Sequence, residues 1–268
     1  MSARLRVGRI PYLNLYPIFH VLDTECDTSH YEFVAGHPAE LNRMLREGAL
    51  DVSPSSSVEY LRGGRLYGLI EGHSISSRGA IGSIFLFSRL PLASLEGGEV
   101  CATSRSETST ALLRVILGRF LGLRCRVEAT ALPLEEALGR FGACLLIGDE
   151  AMAEAARPRE GVEVHDLGSI WFEHTGLPFV FALWITRSGL AGEKRALLSS
   201  LRADLDRAKL RAAQGFEAMA ASLGDRAPAG LTREGLVRYW KGITYGLGPE
   251  ELKGLEAFGG YLREEGLL

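Results

Sequence analysis

What most constrains this chain is an alternation. Through its first two-thirds, short apolar runs (4–10, 31–35, 51–52, 66–71, 80–88, 99–103, 126–130, 143–147, 179–187) take turns with stretches of helical periodicity (38–47, 55–61, 108–121, 134–140, 149–156, 169–175). Such alternation predicts α/β architecture with largely parallel sheets. From Ala191 the pattern changes: Leu197, Leu201, Leu205 and Ala208 recur at helical spacing, and further helices are expected at 233–241 and 250–264. The chain therefore reads as an α/β body with a C-terminal helical segment.

Two of the apolar runs are unusually long. "AIGSIFLFSRLP" leaves one α/β unit, and "GLPFVFALWITR" returns from a second. Read as crossovers, they divide the chain into a discontinuous lobe, 1–88 plus 186–268, and an inserted lobe, 89–185. A total of 268 residues is enough for two such units. Two strands joining two lobes make a hinge with a cleft between them, and clefts are favoured ligand sites.

In α/β sheets ligands bind beyond the carboxyl ends of the strands. Helix N-termini there suit anions, having unpaired N–H groups and the positive end of a dipole. Four turns at such positions are rich in small polar residues: 12–14 ("YLN"), 53–57 ("SPSSS"), 104–109 ("SRSETS") and 148–150 ("GDE"). Capping explains part of this. Ser53 with Pro54 makes an ordinary helix start, Ser106 or Thr108 can cap the next helix, and Asp149 and Asn14 can each cap another. Capping needs one serine of "SPSSS", so Ser55, Ser56 and Ser57 are left as candidate ligand groups, beside Thr108, Ser109, Gly148 and Asp149. Ser83 is a hydroxyl inside an apolar strand, next to Gly82, where something must satisfy it.

Composition narrows the function. Hydrophobic residues make up 46% and charged residues 24%, with a net charge of −3 and no basic block, so neither nucleic acid nor a membrane surface is an expected partner. No apolar run spans a bilayer, and the N-terminus does not resemble a secretory signal. The four cysteines have no CxxC spacing, which together suggests a reducing, cytoplasmic setting. There is no GxGxxG, P-loop, HExxH or GxSxG motif, and the six histidines are scattered. The lysines, Lys194, Lys209, Lys241 and Lys253, all lie in the helical segment, away from any Schiff-base position. No cofactor and no metal is expected.

Several long motifs, in order, then carry a resemblance. "GRIPYLNLYPIF", "DVSPSSSVEY", "SIFLFSRLPLASLEGGEVCATSRSETSTALLRVIL", "LLIGDEAM" and "DLGSIWFEHTGLPFVFALW" resemble the chorismate dehydratases of the futalosine route to menaquinone. The resemblance implies a two-lobed periplasmic-binding-protein-like fold of type II and a hydro-lyase acting on chorismate. It places Asn14 and Ser83 as catalytic groups facing each other across the lobe boundary, with Ser55–Ser57 and Thr108–Ser109 holding the carboxylates. The sister family, 1,4-dihydroxy-6-naphthoate synthases, carries a catalytic histidine after the strand equivalent to "CLLIG", where this chain has Gly148, Asp149 and Glu150. A solute-binding protein for a small carboxylate is the non-catalytic alternative.

Overall fold

The computed structural model describes residues 3–224, 227–228 and 230–268. Its strands form two five-stranded mixed sheets. The first has the order β2 (Tyr31–Ala35), β1 (Leu5–Arg9), β3 (Val52–Ser56), β10 (Phe179–Arg187), β4 (Tyr67–Ser77). The second has the order β7 (Arg126–Thr130), β6 (Glu99–Thr103), β8 (Ala143–Ile147), β5 (Ile84–Ser88), β9 (Glu163–Asp166). In each sheet the first three strands are parallel and the fourth runs antiparallel to both its neighbours. The sheets are therefore mixed rather than largely parallel, because one strand in each is entered from the opposite end, straight from a crossing between sheets.

The crossings lie elsewhere than the sequence suggested. β5 belongs to the second sheet and β10 to the first, so the apolar runs are central strands, not bridges. The chain passes between sheets at 78–83 and returns through α7 (Leu167–Thr175). The partition at 1–88 plus 186–268 and 89–185 would separate β5 from β8 and β9, its two hydrogen-bonded neighbours, and β10 from β3 and β4. Apolar content marks burial in both kinds of segment and cannot tell a bridge from a central strand.

Local chemistry sets the helix starts near the cleft. α3 (Ser57–Gly63) begins after Ser56, whose Oγ accepts from the Glu59 N–H at 3.2 Å. Ser53 and Pro54 are thus strand residues, not a cap. α4 (Glu107–Val115) is capped by Ser106, whose Oγ accepts from the Ser109 N–H at 3.1 Å. α1 (Tyr16–Glu25) and α6 (Gly148–Ala155) have no side-chain cap, so neither Asn14 nor Asp149 is spent that way.

The C-terminal third is a buttress. α8 (Glu193–Leu223) buries Leu201, Leu205, Ala208, Ala212, Phe216 and Met219 along one stripe, lying against α1 and α9 (Arg233–Gly242). The chain after α9 runs beside β4: the Ser76 N–H donates to the Thr244 carbonyl, and the Thr244 N–H donates back. α10 (Pro249–Glu264) then packs on β10, α3 and α4, so it touches elements of both sheets. Among the described residues no helix is long and apolar enough to cross a membrane.

Candidate active site

The parallel strands of the two sheets point their carboxyl ends at one another across a cavity of about 80 Å3. The first sheet contributes Ser55 and Ser56 from the end of β3, Phe181 and Ala182 from β10, and Tyr12 and Asn14 from the turn after β1. The second contributes Ser83 and Ile84 at the start of β5, Ser106 and Ser109 after β6, and Gly148 after β8. No residue of this lining carries a formal charge. It is a ring of hydroxyls, one amide and exposed backbone, framed by apolar side chains.

Two of these polar groups have no partner among the described residues. Asn14 Oδ1 and Ser55 Oγ are both buried atoms, and neither meets a hydrogen-bonding group there. An unmade hydrogen bond on a buried group costs about 1–3 kcal/mol, so two of them on one cavity wall point to a ligand that completes them. Ser83, 4% exposed, differs: its Oγ accepts from the Tyr239 hydroxyl at 3.0 Å, and its carbonyl accepts from the Gly148 N–H at 2.7 Å. Burial pushes the Tyr239 phenol well up, so it stays protonated and donates.

The turn that carries Asn14 is clamped from the far end of the chain. The Tyr245 hydroxyl donates to the Asn14 carbonyl at 2.8 Å, and Trp240 Nε1 donates to the Leu13 carbonyl at 2.7 Å. The Tyr16 ring stacks on Trp240 with centroids 5.8 Å apart. With its backbone fixed, Asn14 has only side-chain torsions left to vary. Gly148 stands opposite with φ +66°, a backbone shape that glycine adopts without a Cβ penalty, and the Tyr12 ring lies against it.

Ser57, Thr108 and Asp149 are near this cavity but outside its lining, because their polar atoms are engaged across the cleft. Thr108 Oγ1 accepts from the Val58 N–H at 3.2 Å and lies 3.4 Å from Ser57 Oγ, so a residue of α4 caps α3 of the other sheet. Asp149 Oδ1 accepts from the Leu13 N–H at 3.2 Å. Burial pushes the Asp149 carboxyl up while that N–H draws it down. Of the residues singled out from sequence, Asn14, Ser55, Ser56, Ser83, Ser109 and Gly148 thus meet on one cavity. Ser106 joins them; sequence weighed it only as a cap. Tyr239, Trp240 and Tyr245 carry no local signal, since they act from more than 150 residues away.

Comparisons with known proteins give the family and the fold. The family described as menaquinone biosynthesis matches residues 5–264. A chorismate dehydratase of Thermus thermophilus is 35% identical over 210 residues, covering 73% of this chain and 74% of that protein. A 1,4-dihydroxy-6-naphthoate synthase of the same organism is 32% identical over 164 residues, covering 60% of this chain and 58% of that protein. In three dimensions the periplasmic aliphatic sulphonate binding protein SsuA of Escherichia coli superimposes with a TM-score of 0.68 at 15% identity, over 100% of this chain and 89% of that one. That likeness gives the fold: two lobes of periplasmic-binding-protein type.

Proposed function

We propose that this chain, which belongs to the menaquinone biosynthesis family, is a chorismate dehydratase: it removes water from chorismate to give 3-[(1-carboxyvinyl)oxy]benzoate. The observation that carries this reading is the pair of unpartnered polar groups, Asn14 Oδ1 and Ser55 Oγ, on the wall of an uncharged cavity that also holds Ser83.

In this elimination the C3–H bond breaks, its electron pair enters the ring, and the C4–O bond breaks as the ring becomes aromatic. The hydroxyl leaves with a proton as water. Aromatisation supplies the driving force, so the protein's task is to hold one substrate geometry and to hydrogen-bond the charge that moves. The Asn14 amide meets the departing hydroxyl, and Ser83 orients the same edge of the ring from the other lobe. Neither is a base at neutral pH. The substrate's own enolpyruvyl carboxylate takes the C3 proton, which suits a lining without a formal charge. Ser55, Ser56 and Ser109 supply donors for the two carboxylates, with Ser106 donating to Ser109 Oγ at 2.9 Å.

The test is direct. Purified protein mixed with chorismate should produce the aromatic ether, followed by proton NMR of the ring region. Chorismate left unchanged would overturn the reading. Turnover of a cyclic futalosine derivative instead would assign the naphthoate synthase reaction, and binding of chorismate without turnover would make the chain a carboxylate-binding protein.

A further inference from the structure

The chain crosses between the sheets twice, and one carboxylate holds both crossings. Asp166 ends β9 and precedes α7. Its Oδ1 accepts from the Ser169 N–H at 3.1 Å, the usual bond of a helix cap. The same oxygen accepts from the Ile81 N–H at 3.1 Å, and Oδ2 accepts from the Gly82 N–H at 2.7 Å. Ile81 and Gly82 are on the other crossing, and Ser83 follows them directly. The first turn of α7 is pressed onto that crossing: a Cβ at Gly168 would stand 2.5 Å from the Gly79 carbonyl oxygen.

Capping α7 needs one oxygen, and serine, threonine or asparagine would serve. It does not explain why the capping oxygen also takes the Ile81 N–H and the second oxygen takes that of Gly82, two consecutive amides of a different segment. What those amides control is the place of Ser83. Its hydroxyl is held from α9 by Tyr239 and its carbonyl by the Gly148 N–H, and Asp166 fixes the backbone that leads into it. The amide bonds also favour the ionised carboxylate against the upward push of burial.

We propose that Asp166 is a positioning residue: by clamping the amides of Ile81 and Gly82 it sets the Ser83 hydroxyl opposite Asn14 for the elimination. This rests on the reading of Ser83 as a catalytic residue.

The experiment is a double-mutant cycle on kcat and KM for chorismate, with a melting curve for every variant. Asp166→Ser keeps a cap for α7 but cannot reach both amides of the other crossing. Its kcat should fall about tenfold to a hundredfold, as expected when a reacting group is displaced by about an ångström, with KM nearly unchanged. In a Ser83→Ala background the same substitution should cost little further, because the two residues act as one unit. A normal kcat in Asp166→Ser, or the same fold-loss with and without Ser83, would overturn the proposal. If Ser83→Ala alone turns over normally, it is the catalytic reading of Ser83 that falls, and the proposal with it. Should Asp166→Ser melt too low to assay, Asp166→Asn, which keeps the shape and the cap but turns an N–H toward Gly82, replaces it under the same criteria.

Discussion

A polar atom that is buried and unbonded is an expense in a folded protein unless something arrives to use it. Asn14 Oδ1 and Ser55 Oγ are in that position among the described residues. Removing either should therefore not harm the unliganded fold, whereas it should harm the reaction. Asn14→Ala is expected to leave the melting temperature at or slightly above that of the parent and to lower kcat by about 10²–10³-fold, the usual cost of losing one preorganised group at developing charge. Ser55→Ala should raise KM with kcat little changed, since a lost hydrogen bond to a charged partner is worth about 1.5–3 kcal/mol. Steady-state turnover of chorismate beside a thermal melt checks both. At this scale the sequence was informative where a polar residue lay in an apolar setting, as with Asn14 and Ser83. It was uninformative where a hydroxyl had two possible partners. Thr108 and Ser106 are two residues apart on one helix start, and only the fold decides that Ser106 borders the cavity while Thr108 caps a helix of the other sheet.

Elements show the same limit in another form. β9 went unread because "EVHD" is short and largely polar, as an edge strand can be. The central strands β5 and β10 were recognised as strands but assigned to the wrong sheets, because hydrophobicity records burial and not neighbours. The bond from Val58 to Thr108 joins α3 to α4, so Thr108→Val should lower the melting temperature by the equivalent of about 1 kcal/mol, an ordinary cap loss, and Thr108→Ser should largely restore it. β4 carries a second testable feature. His73 is 2% exposed, beneath Asp206, Lys209 and Arg202. Burial first, and the Lys209 charge second, depress its pKa to about 4 from the ordinary 6.5. The folded state therefore binds its proton later than the unfolded state does. Stability from this site is complete above pH 6.5 and is lost progressively as pH falls toward 4. Melting curves across that window should show the decline, and His73→Gln should flatten it.

At the scale of the whole molecule, the α/β class, the C-terminal helices and the existence of a cleft were legible, because periodicity reports them directly. The buttress behind the cleft was not. Tyr239, Trp240 and Tyr245 lie in an ordinary amphipathic segment, and nothing in their surroundings says that they hold residues 13, 14 and 83. Their position has a consequence for how the protein is made. The second sheet draws all its strands from one continuous stretch, Ile84 to Asp166, and can close while the ribosome is still at work. The first sheet must wait longer, since β10 slides between β3 and β4, which are translated more than a hundred residues earlier. Asn14 and Ser83 emerge early, and the side chains that brace them arrive only with α9 and the residues just after it. A nascent chain thus presents Asn14 and Ser83 long before the groups that hold them, and gains those only when Tyr239, Trp240 and Tyr245 follow.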